Sequence, residues 1–86
     1  MNASAVVLIE AERTAMLTLG PTLAAVPGVR RVYSVTGEWD FVCTIDVDAH
    51  SKLRTVITET IQTIDGVSRT QTLVALDTYE GSGGAA

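Results

Sequence analysis

The stretch Val35-Thr36-Gly37-Glu38-Trp39-Asp40-Phe41 lies between two apolar segments that resemble β-strands. It holds the only tryptophan of the chain, together with a glycine and two acidic residues. A short hairpin turn is satisfied by Asn-Gly or Asp-Gly, whereas a bulky aromatic residue beside an acid is typical of a loop that meets a ligand. We therefore predict a hairpin whose tip loop, residues 35–40, is the candidate functional site.

Two predicted strands flank the tip loop, residues 29–36 before it and residues 41–47 after it. Side chains alternate between the two faces of a strand. In the second strand one face carries Phe41, Cys43, Ile45 and Val47, and the other face carries Val42, Thr44 and Asp46.

A helix is predicted after the second of these strands, over residues 49–64. Its apolar residues form one stripe, as expected for a helix that covers a sheet. Asp48 is expected to be its N-cap, and Asp65-Gly66 is expected to end it in a left-handed turn.

The helix before the first of these strands is harder to place. Residues 12–25 carry an apolar stripe at spacings of three and four, formed by Met16, Leu19, Leu23 and Val26. Gly20-Pro21 lies inside this segment, and an interior proline removes a backbone hydrogen bond. The helix is therefore either kinked there, or its regular part begins at Pro21 as a first-turn residue.

Further strands are predicted near the two ends, over residues 3–10 and 67–79. The first is a continuous apolar run of the kind that is buried on both faces of a sheet. Gly28-Val29-Arg30-Arg31 also recurs as Gly66-Val67-Ser68-Arg69, so a strand-helix-Gly-Val-strand unit is used twice. The order β-α-β-β-α-β predicts an α+β, ferredoxin-like fold with a four-stranded antiparallel sheet and two helices on one face.

The composition indicates an interface between subunits. The 86 residues suit one small domain, yet 47% of them are hydrophobic and only 19% are charged. A chain of this size buries only about 60% of its unfolded surface, so part of the apolar material is expected to meet a second subunit. The candidates on the sheet face without helices are Val6, Leu8, Val42, Val74 and Leu76. They predict a dimeric α/β sandwich or barrel.

The charge and hydropathy of the chain argue against nucleic acids and membranes as partners. The formal net charge is −4, and Arg30-Arg31 is the densest basic spot, so direct nucleic-acid binding is not expected. The start of the chain lacks the basic region of a signal peptide, and the apolar run at residues 5–9 is too short for a bilayer. We expect a cytoplasmic protein without membrane contact, with one domain over residues 1–80 and a flexible tail over residues 81–86.

No residue pattern indicates catalysis or a resident metal. The sequence lacks the motifs of serine hydrolases and of phosphate-binding loops. His50 falls in the first turn of a predicted helix, and Cys43 is expected to be a small buried hydrophobe. Asp46, Asp48 and Glu10 lack the glycine-turned loop of a hard-cation site, so they are expected to be solvated strand ends. No catalytic residue, cofactor or metal is predicted.

The tip loop leaves two interpretations open. Its tryptophan either folds back on its own sheet as part of an ordinary turn, or helps to bind a ligand. For a ligand, the glycine allows close backbone approach, the aspartate pairs with an ammonium group, and the tryptophan offers a wall or a cation–π face. Donors on the last strand would bind a carboxylate, which is the polarity expected around an amino acid. The candidate ligand-binding residues are Gly37, Glu38, Trp39, Asp40, Arg69, Thr70 and Thr72.

At these residues the sequence resembles the effector-binding (RAM) domain of the Lrp/AsnC, or feast/famine, family of transcriptional regulators. The resemblance rests on residues 26–29, 35–40 and 61–72. The last two segments look like the family's V-x-G-x-Y-D and I-x-x-x-x-G-V-x-R-T-x-T signatures. Trp39 stands where the family usually has tyrosine, which removes a phenolic hydroxyl and changes the shape of the pocket.

The resemblance implies a βαββαβ domain that dimerises through its sheets, with dimers closing into octamers or similar rings. It implies that an amino acid or a related metabolite binds between dimers, with Gly37, Trp39, Asp40, Thr70 and Thr72 at the cleft. Full-length members carry an N-terminal helix-turn-helix domain, whereas here the first strand begins almost at once. We therefore expect a stand-alone effector domain, or the isolated half of a longer regulator, that does not bind DNA unaided.

Three functions remain as hypotheses. The leading one is a non-enzymatic, oligomeric sensor of an amino acid or a similar small metabolite. The second is an enzyme, because small dimeric α+β barrels include cofactor-free monooxygenases and haem-degrading proteins. Those enzymes need a histidine, or an Asn–Trp–His set, lining a cavity, and here the only asparagine is Asn2. The third is a co-assembly module that joins full-length Lrp/AsnC regulators and dilutes their DNA-binding arms.

Overall fold

The computed structural model describes residues 2–85, and Met1 and Ala86 lie outside the described residues. Its strands are β1 (Ala3–Ala11), β2 (Val29–Ser34), β3 (Phe41–Val47) and β4 (Val67–Val74). Its helical segments are a 3₁₀ turn (Arg13–Ala15), α1 (Leu19–Ala24) and α2 (His50–Arg54). α2 continues without a break through a π turn (Thr55–Thr60) and a second 3₁₀ turn (Ile61–Thr63).

The strands form one antiparallel sheet in the order β2-β3-β1-β4. β1 pairs with β3 from Ala3↔Val47 to Ile9↔Phe41. On its other side β1 pairs with β4, from Ala5↔Val74 to Ala11↔Val67. β1, from the first β-α-β unit, therefore lies between the two strands of the second unit.

The core lies between one face of this sheet and the helical segments. Every second side chain of β1 and β3 is buried there, and Val7 and Cys43 are 0% exposed. Leu19 and Leu23 of α1 and Ile61 of the second helical segment complete the core. This arrangement confirms the predicted ferredoxin-like fold with both helices on one face. The sequence predicts burial of β1 on both faces of the sheet. It is buried on this face only, because no helix within residues 2–85 covers the other face.

Two courses are predicted for the first helix, a kink at Gly20-Pro21 or a regular part that begins at Pro21. The structure is close to the second. Residues 13–15 form the 3₁₀ turn, and α1 begins only at Leu19. Pro21 is the third residue of α1, a first-turn position whose N–H would have no acceptor within the helix, so no hydrogen bond is lost. Met16 falls in the turn before α1 and is 38% exposed, so its predicted place on the buried stripe is wrong.

The second helical segment covers residues 50–63, close to the predicted 49–64. Its N-cap is Ala49, without a side-chain hydrogen bond, so the prediction of Asp48 as N-cap is wrong. Asp48 instead pairs with Lys52, at 2.8 Å between Oδ1 and Nζ. The hydrogen bond from Lys52 lowers the pKa of the Asp48 carboxyl.

β4 is shorter than the predicted strand over residues 67–79, since it ends at Val74. The Ala75 N–H donates to the Ser4 carbonyl at 2.9 Å, near the start of β1. Beyond that point, residues 76–85 form neither helix nor strand.

No helix in the described part of the chain covers the second face of the sheet, which we call the open face. Cross-strand pairs share a face, so Val74 lies opposite Ala5 on the helix-covered side. Leu76 follows the end of β4, so the prediction of these two residues on the open face is wrong. The apolar residues of the open face are Val6, Leu8, Tyr33, Val42 and Leu73.

Charged pairs lie at two opposite ends of the open face. Beside the tip loop, Arg69 Nη2 lies 3.4 Å from Glu10 Oε2. At the other end, Arg30 Nη1 lies 3.3 Å from Asp46 Oδ2, and the Ser4 hydroxyl donates to the same carboxylate. An apolar centre with a charged rim is the usual anatomy of a protein–protein interface.

Gly66 closes the turn between the second helical segment and β4. Its φ is +96°, and an added Cβ would lie 2.4 Å from the Cβ of Ala15. The Glu12 N–H donates to the Gly66 carbonyl at 2.8 Å, which ties this turn to the segment that follows β1. Only glycine allows the two backbones to pass this closely in this conformation.

Gly66→Ala is expected to lower the free energy of unfolding by about 2–4 kcal/mol, because strain at positive φ adds to overpacking against Ala15. Gly37→Ala is the matched control, since Gly37 has a φ of +113° with nothing within 4 Å of an added Cβ. There only the backbone strain remains, at about 1–2 kcal/mol. Urea unfolding at one fixed protein concentration measures both losses. Equal losses would contradict the packing role of Gly66.

Candidate functional site

The tip loop joins β2 to β3 at the end of the sheet where β1 finishes. The Val35 N–H donates to the Asp40 carbonyl at 3.0 Å, and the Asp40 N–H donates to the Ile9 carbonyl at 2.9 Å. Residues 36–38 between them are exposed. Backbone hydrogen bonds therefore fix the base of a turn whose tip projects into solvent.

Asp40 also links the loop to β1 through its side chain. β3 pairs with β1 only as far as Phe41, so Ala11 lies beyond the last backbone pair on that side. The Ala11 N–H donates instead to Asp40 Oδ2 at 2.8 Å. The hydrogen bonds within residues 2–85 use Oδ2 of this carboxylate, which leaves Oδ1 for another partner.

Trp39 is stacked on Arg69. The Arg69 Cζ lies 4.3 Å from the centroid of the Trp39 ring, well within the range of a cation–π contact. The indole is half-buried, although the loop residues before it are exposed. The tryptophan thus folds back on its own sheet, reaching across β1 to β4, and in doing so it brings a guanidinium to the tip loop.

Thr70 and Thr72 lie on the opposite face of the sheet from Arg69. Both pair with fully buried residues of β1, so their side chains face the helical side. The Thr70 hydroxyl accepts a hydrogen bond from Gln62 Nε2 at 3.1 Å. Two strand spacings, about 10 Å, separate β4 from the strand that carries the tip loop. A single chain therefore does not bring these threonines to Trp39 and Asp40.

Glu10 lies beside the tip loop, although the sequence analysis does not include it among the ligand-binding candidates. It is the cross-strand partner of Arg69. In the sequence analysis, Glu10 is grouped with Asp46 as a possible cation ligand. Asp46 pairs with Ser4 at the other end of β1, and six residues at 3.3 Å each separate Ser4 from Glu10 by about 20 Å. The β1–β4 register is the only signal that places Glu10 here, and a sequence gives no register for strands separated by most of the chain.

The other chemically reactive side chains lie away from the tip loop. Cys43 is in the core, where burial raises the pKa of its thiol to about 11, so the thiol is protonated at neutral pH. His50 is exposed at the start of α2, at the opposite end of the sheet. Within residues 2–85, no three His, Cys, Asp or Glu side chains are grouped to hold a metal ion. In the same part of the chain, no helix is long and apolar enough to cross a membrane.

Three grooves of the chain lie outside the tip loop. One of about 460 Å³ runs between α1 and β2. Two others, of about 500 and 370 Å³, lie near Lys52 at the opposite end of the sheet. None of these three grooves is lined by residues 35–40. These three grooves therefore do not supply a pocket at the tip loop.

Comparison with known proteins identifies the same architecture in natural relatives. The family model for the Lrp/AsnC ligand binding domain matches residues 4–84. The crystal structure of TTHA0845 from Thermus thermophilus covers 92% of this chain and 99% of that chain, with a TM-score of 0.85 and 37% sequence identity.

Two further relatives are transcriptional regulators. An uncharacterized HTH-type regulator of Pyrococcus abyssi is 27% identical over 83 residues, covering 93% of this chain and 55% of the regulator. The chain thus spans about half the length of that curated relative. The regulator NMB0573 of Neisseria meningitidis, solved as a complex with L-Met, matches 92% of this chain and 53% of that chain, with a TM-score of 0.81. At 16% identity it shows the fold alone. Since the family model covers residues 4–84 of the 86, the chain belongs to the Lrp/AsnC ligand binding domain family.

Proposed function

We propose that this protein is a non-enzymatic, oligomeric sensor domain that binds an amino acid or a related small metabolite at the tip loop. The carrying observation is the pair of opposite charges there: the Asp40 carboxylate and the Arg69 guanidinium that is stacked on Trp39. These groups complement the ammonium and carboxylate of a zwitterion. The family's ligand-binding character and the L-Met complex of a regulator with the same fold support this ligand class.

Each loop residue has a proposed role in this site. Asp40 holds the ligand ammonium through Oδ1, since Oδ2 is engaged by the Ala11 N–H. Gly37 lets the ligand approach the backbone, because it carries no side chain and the space around it is open. Trp39 forms a wall, and Glu38 adds negative charge that attracts the ammonium group.

The site is proposed to be completed by other copies of the chain. The tip loop projects into solvent, and Thr70 and Thr72 lie on the far side of the sheet at its edge. A ligand between neighbouring dimers would meet the tip loop of one copy and the threonines of another. The open face, with its apolar centre and charged rim, is the proposed dimer interface. Dimers are proposed to close into an octamer or a similar ring.

Control is proposed to act through assembly. A ligand that contacts two dimers binds the assembled state more tightly than the free dimer, and shifts the equilibrium by that difference in affinity. The regulator relatives support a cytoplasmic role in transcription that is exerted indirectly, without direct nucleic-acid contact by this domain.

Co-assembly with full-length regulators is the second candidate function. The observation that favours it is the match to about half of an HTH-type regulator, because a domain of this kind shares its interface with longer relatives. Mixed oligomers with a full-length Lrp/AsnC regulator, in the absence of any amino-acid response, would favour this function over sensing.

The sensor function predicts stabilisation by a small set of amino acids. At about one hundred times its Kd, a ligand raises the free energy of unfolding by about 2.7 kcal/mol. For a domain of this size the rise corresponds to a melting-temperature increase on the order of 10 °C. Thermal melting against the twenty amino acids, with L-methionine as the first probe, measures it. Cooperative melting without a shift for any of them would reject amino-acid sensing.

Substitution at Asp40 separates its two roles. Asp40→Asn keeps an oxygen acceptor for the Ala11 N–H and removes the charge, so we expect nearly unchanged stability and loss of the amino-acid response. Asp40→Ala leaves that N–H unpaired as well, which costs about 1–3 kcal/mol. Urea unfolding and the ligand-induced melting shift measure the two effects. A normal response in Asp40→Asn would remove Asp40 from the ligand site.

The open-face dimer predicts a clear effect of Leu73→Asp. Leu73 lies on this face with 49% of its surface exposed, so an aspartate there places an unpaired charge in the proposed interface without disturbing the core. Leu17→Asp is the matched control, because Leu17 is 93% exposed in the turn before α1. Light scattering after size exclusion should show a monomer for Leu73→Asp and an unchanged assembly for Leu17→Asp. Unchanged assembly in both would argue against this interface.

A further inference from the structure

We infer that Glu10 is a specificity-determining residue of the sensor site, because its carboxylate occupies Arg69 where a ligand carboxylate would bind. The inference rests on the proposed function, since it concerns the same site. Glu10 lies in β1, outside the tip loop and outside the family signature that ends on β4. An anionic group that engages Arg69 through Nη2 competes with Glu10 for that nitrogen.

The geometry of the ion pair allows such an exchange. Arg69 Nη2 and Glu10 Oε2 are 3.4 Å apart, and the two side chains are 51% and 41% exposed. Exposed pairs with this separation contribute little to stability, and water or another anion replaces them readily. The cross-strand register nevertheless places Glu10 opposite Arg69, so the carboxylate is present as a competitor.

Trp39 makes Arg69 a suitable anchor for the incoming anion. Arg69 Cζ lies over the Trp39 ring, 4.3 Å from its centroid, and a guanidinium that meets an aromatic ring through its flat face keeps the N–H donors along its edge for other partners. A planar guanidinium in this position presents a fork that fits a carboxylate with two parallel hydrogen bonds. The hydrogen bond to Glu10 uses Nη2 alone. A ligand carboxylate that engages two nitrogens therefore competes well against a single long contact.

The exchange also favours zwitterions over simple anions. Once displaced, the Glu10 carboxylate remains beside the bound anion, close to the tip loop that carries Glu38 and Asp40. A simple carboxylate would face uncompensated repulsion there, whereas an amino acid brings an ammonium group that offsets it. Glu10 thus weakens the binding of every carboxylate at Arg69, and weakens it most for those without a positive charge.

Trp39 reports the exchange directly, because it is the only tryptophan in the chain and its ring contacts Arg69. The probe is sodium acetate, a carboxylate without an ammonium group, titrated against sodium chloride at matched ionic strength. The variants are Glu10→Gln, which keeps the shape and removes the charge, and Arg69→Met, which removes the anchor. Glu12→Gln is the matched control, since Glu12 is exposed nearby and forms no ion pair with Arg69. Size exclusion and thermal melting check that each variant keeps its assembly and fold.

We expect acetate to change the Trp39 emission beyond the effect of chloride, with a half-saturation about two- to fivefold lower in Glu10→Gln than in the unmodified protein. Glu12→Gln should match the unmodified protein, and Arg69→Met should lose the acetate-specific change. Equal half-saturation in Glu10→Gln and the unmodified protein would overturn the inference. The absence of an acetate-specific change in both, or its survival in Arg69→Met, would do the same.

The two proposals fail separately. If the acetate titrations behave as expected while none of the twenty amino acids stabilises the protein, amino-acid sensing is rejected and the role of Glu10 stands. If L-methionine or another amino acid stabilises the protein but acetate affinity is the same in Glu10→Gln and the unmodified protein, sensing stands and the role of Glu10 is rejected.

Discussion

The antiparallel pairing of β1 with both β3 and β4 is the constraint on which the rest of the structure depends. β1 belongs to the first β-α-β unit of the chain, and its two neighbours belong to the second. Each side chain of β1 is committed to one face by this pairing, since neighbouring residues on a strand point in opposite directions. Val7 is therefore sealed under the helices, whereas Leu8 lies on the open face.

The same pairing assembles the candidate site. The backbone pairing of β3 with β1 ends at Phe41. Next to it, the Asp40 side chain contacts β1 by accepting a hydrogen bond from the Ala11 N–H. Across β1, the Trp39 ring reaches Arg69 of β4. The residues proposed to meet a ligand are thus the ones that hold the tip loop to the sheet, and a ligand that engages them acts on the contacts between three strands. In the proposed function this coupling would carry ligand binding to assembly, because the same end of the sheet forms part of the rim of the open face.

The open face and the tip loop are the two surfaces that the proposed assembly would complete. Within residues 2–85 no helix covers the apolar side chains of the open face, and the three grooves described above lie away from the tip loop. The proposed assembly would address them in two steps, since packing of open faces would bury the apolar patch and closure of dimers into a ring would bring further copies near the tip loop. The small size of the chain also favours association, because domains this short bury a limited share of their surface unaided.

Local patterns in the sequence predict most of the fold because they report short-range physics. Alternation on β3, the stripe over residues 49–64 and the repeated Gly-Val turns are each set by neighbours in the chain, and the structure contains all three. The predicted Asp48 cap fails because Lys52, one turn away, takes the carboxylate instead. The predicted length of β4 fails because pairing stops where β1 begins, and no local signal within β4 carries that information.

The sequence by itself determined the element order, the family, and the tip loop as the place to look for a site. Only the tertiary structure decided which residues meet there. It stacked Arg69 on Trp39, set Glu10 opposite Arg69, engaged Asp40 with Ala11, and turned Thr70 and Thr72 to the far face. The physical reason is strand register: a shift of one residue moves every side chain of a strand to the other face. That register is fixed by long-range pairing along β1, which local sequence patterns do not encode.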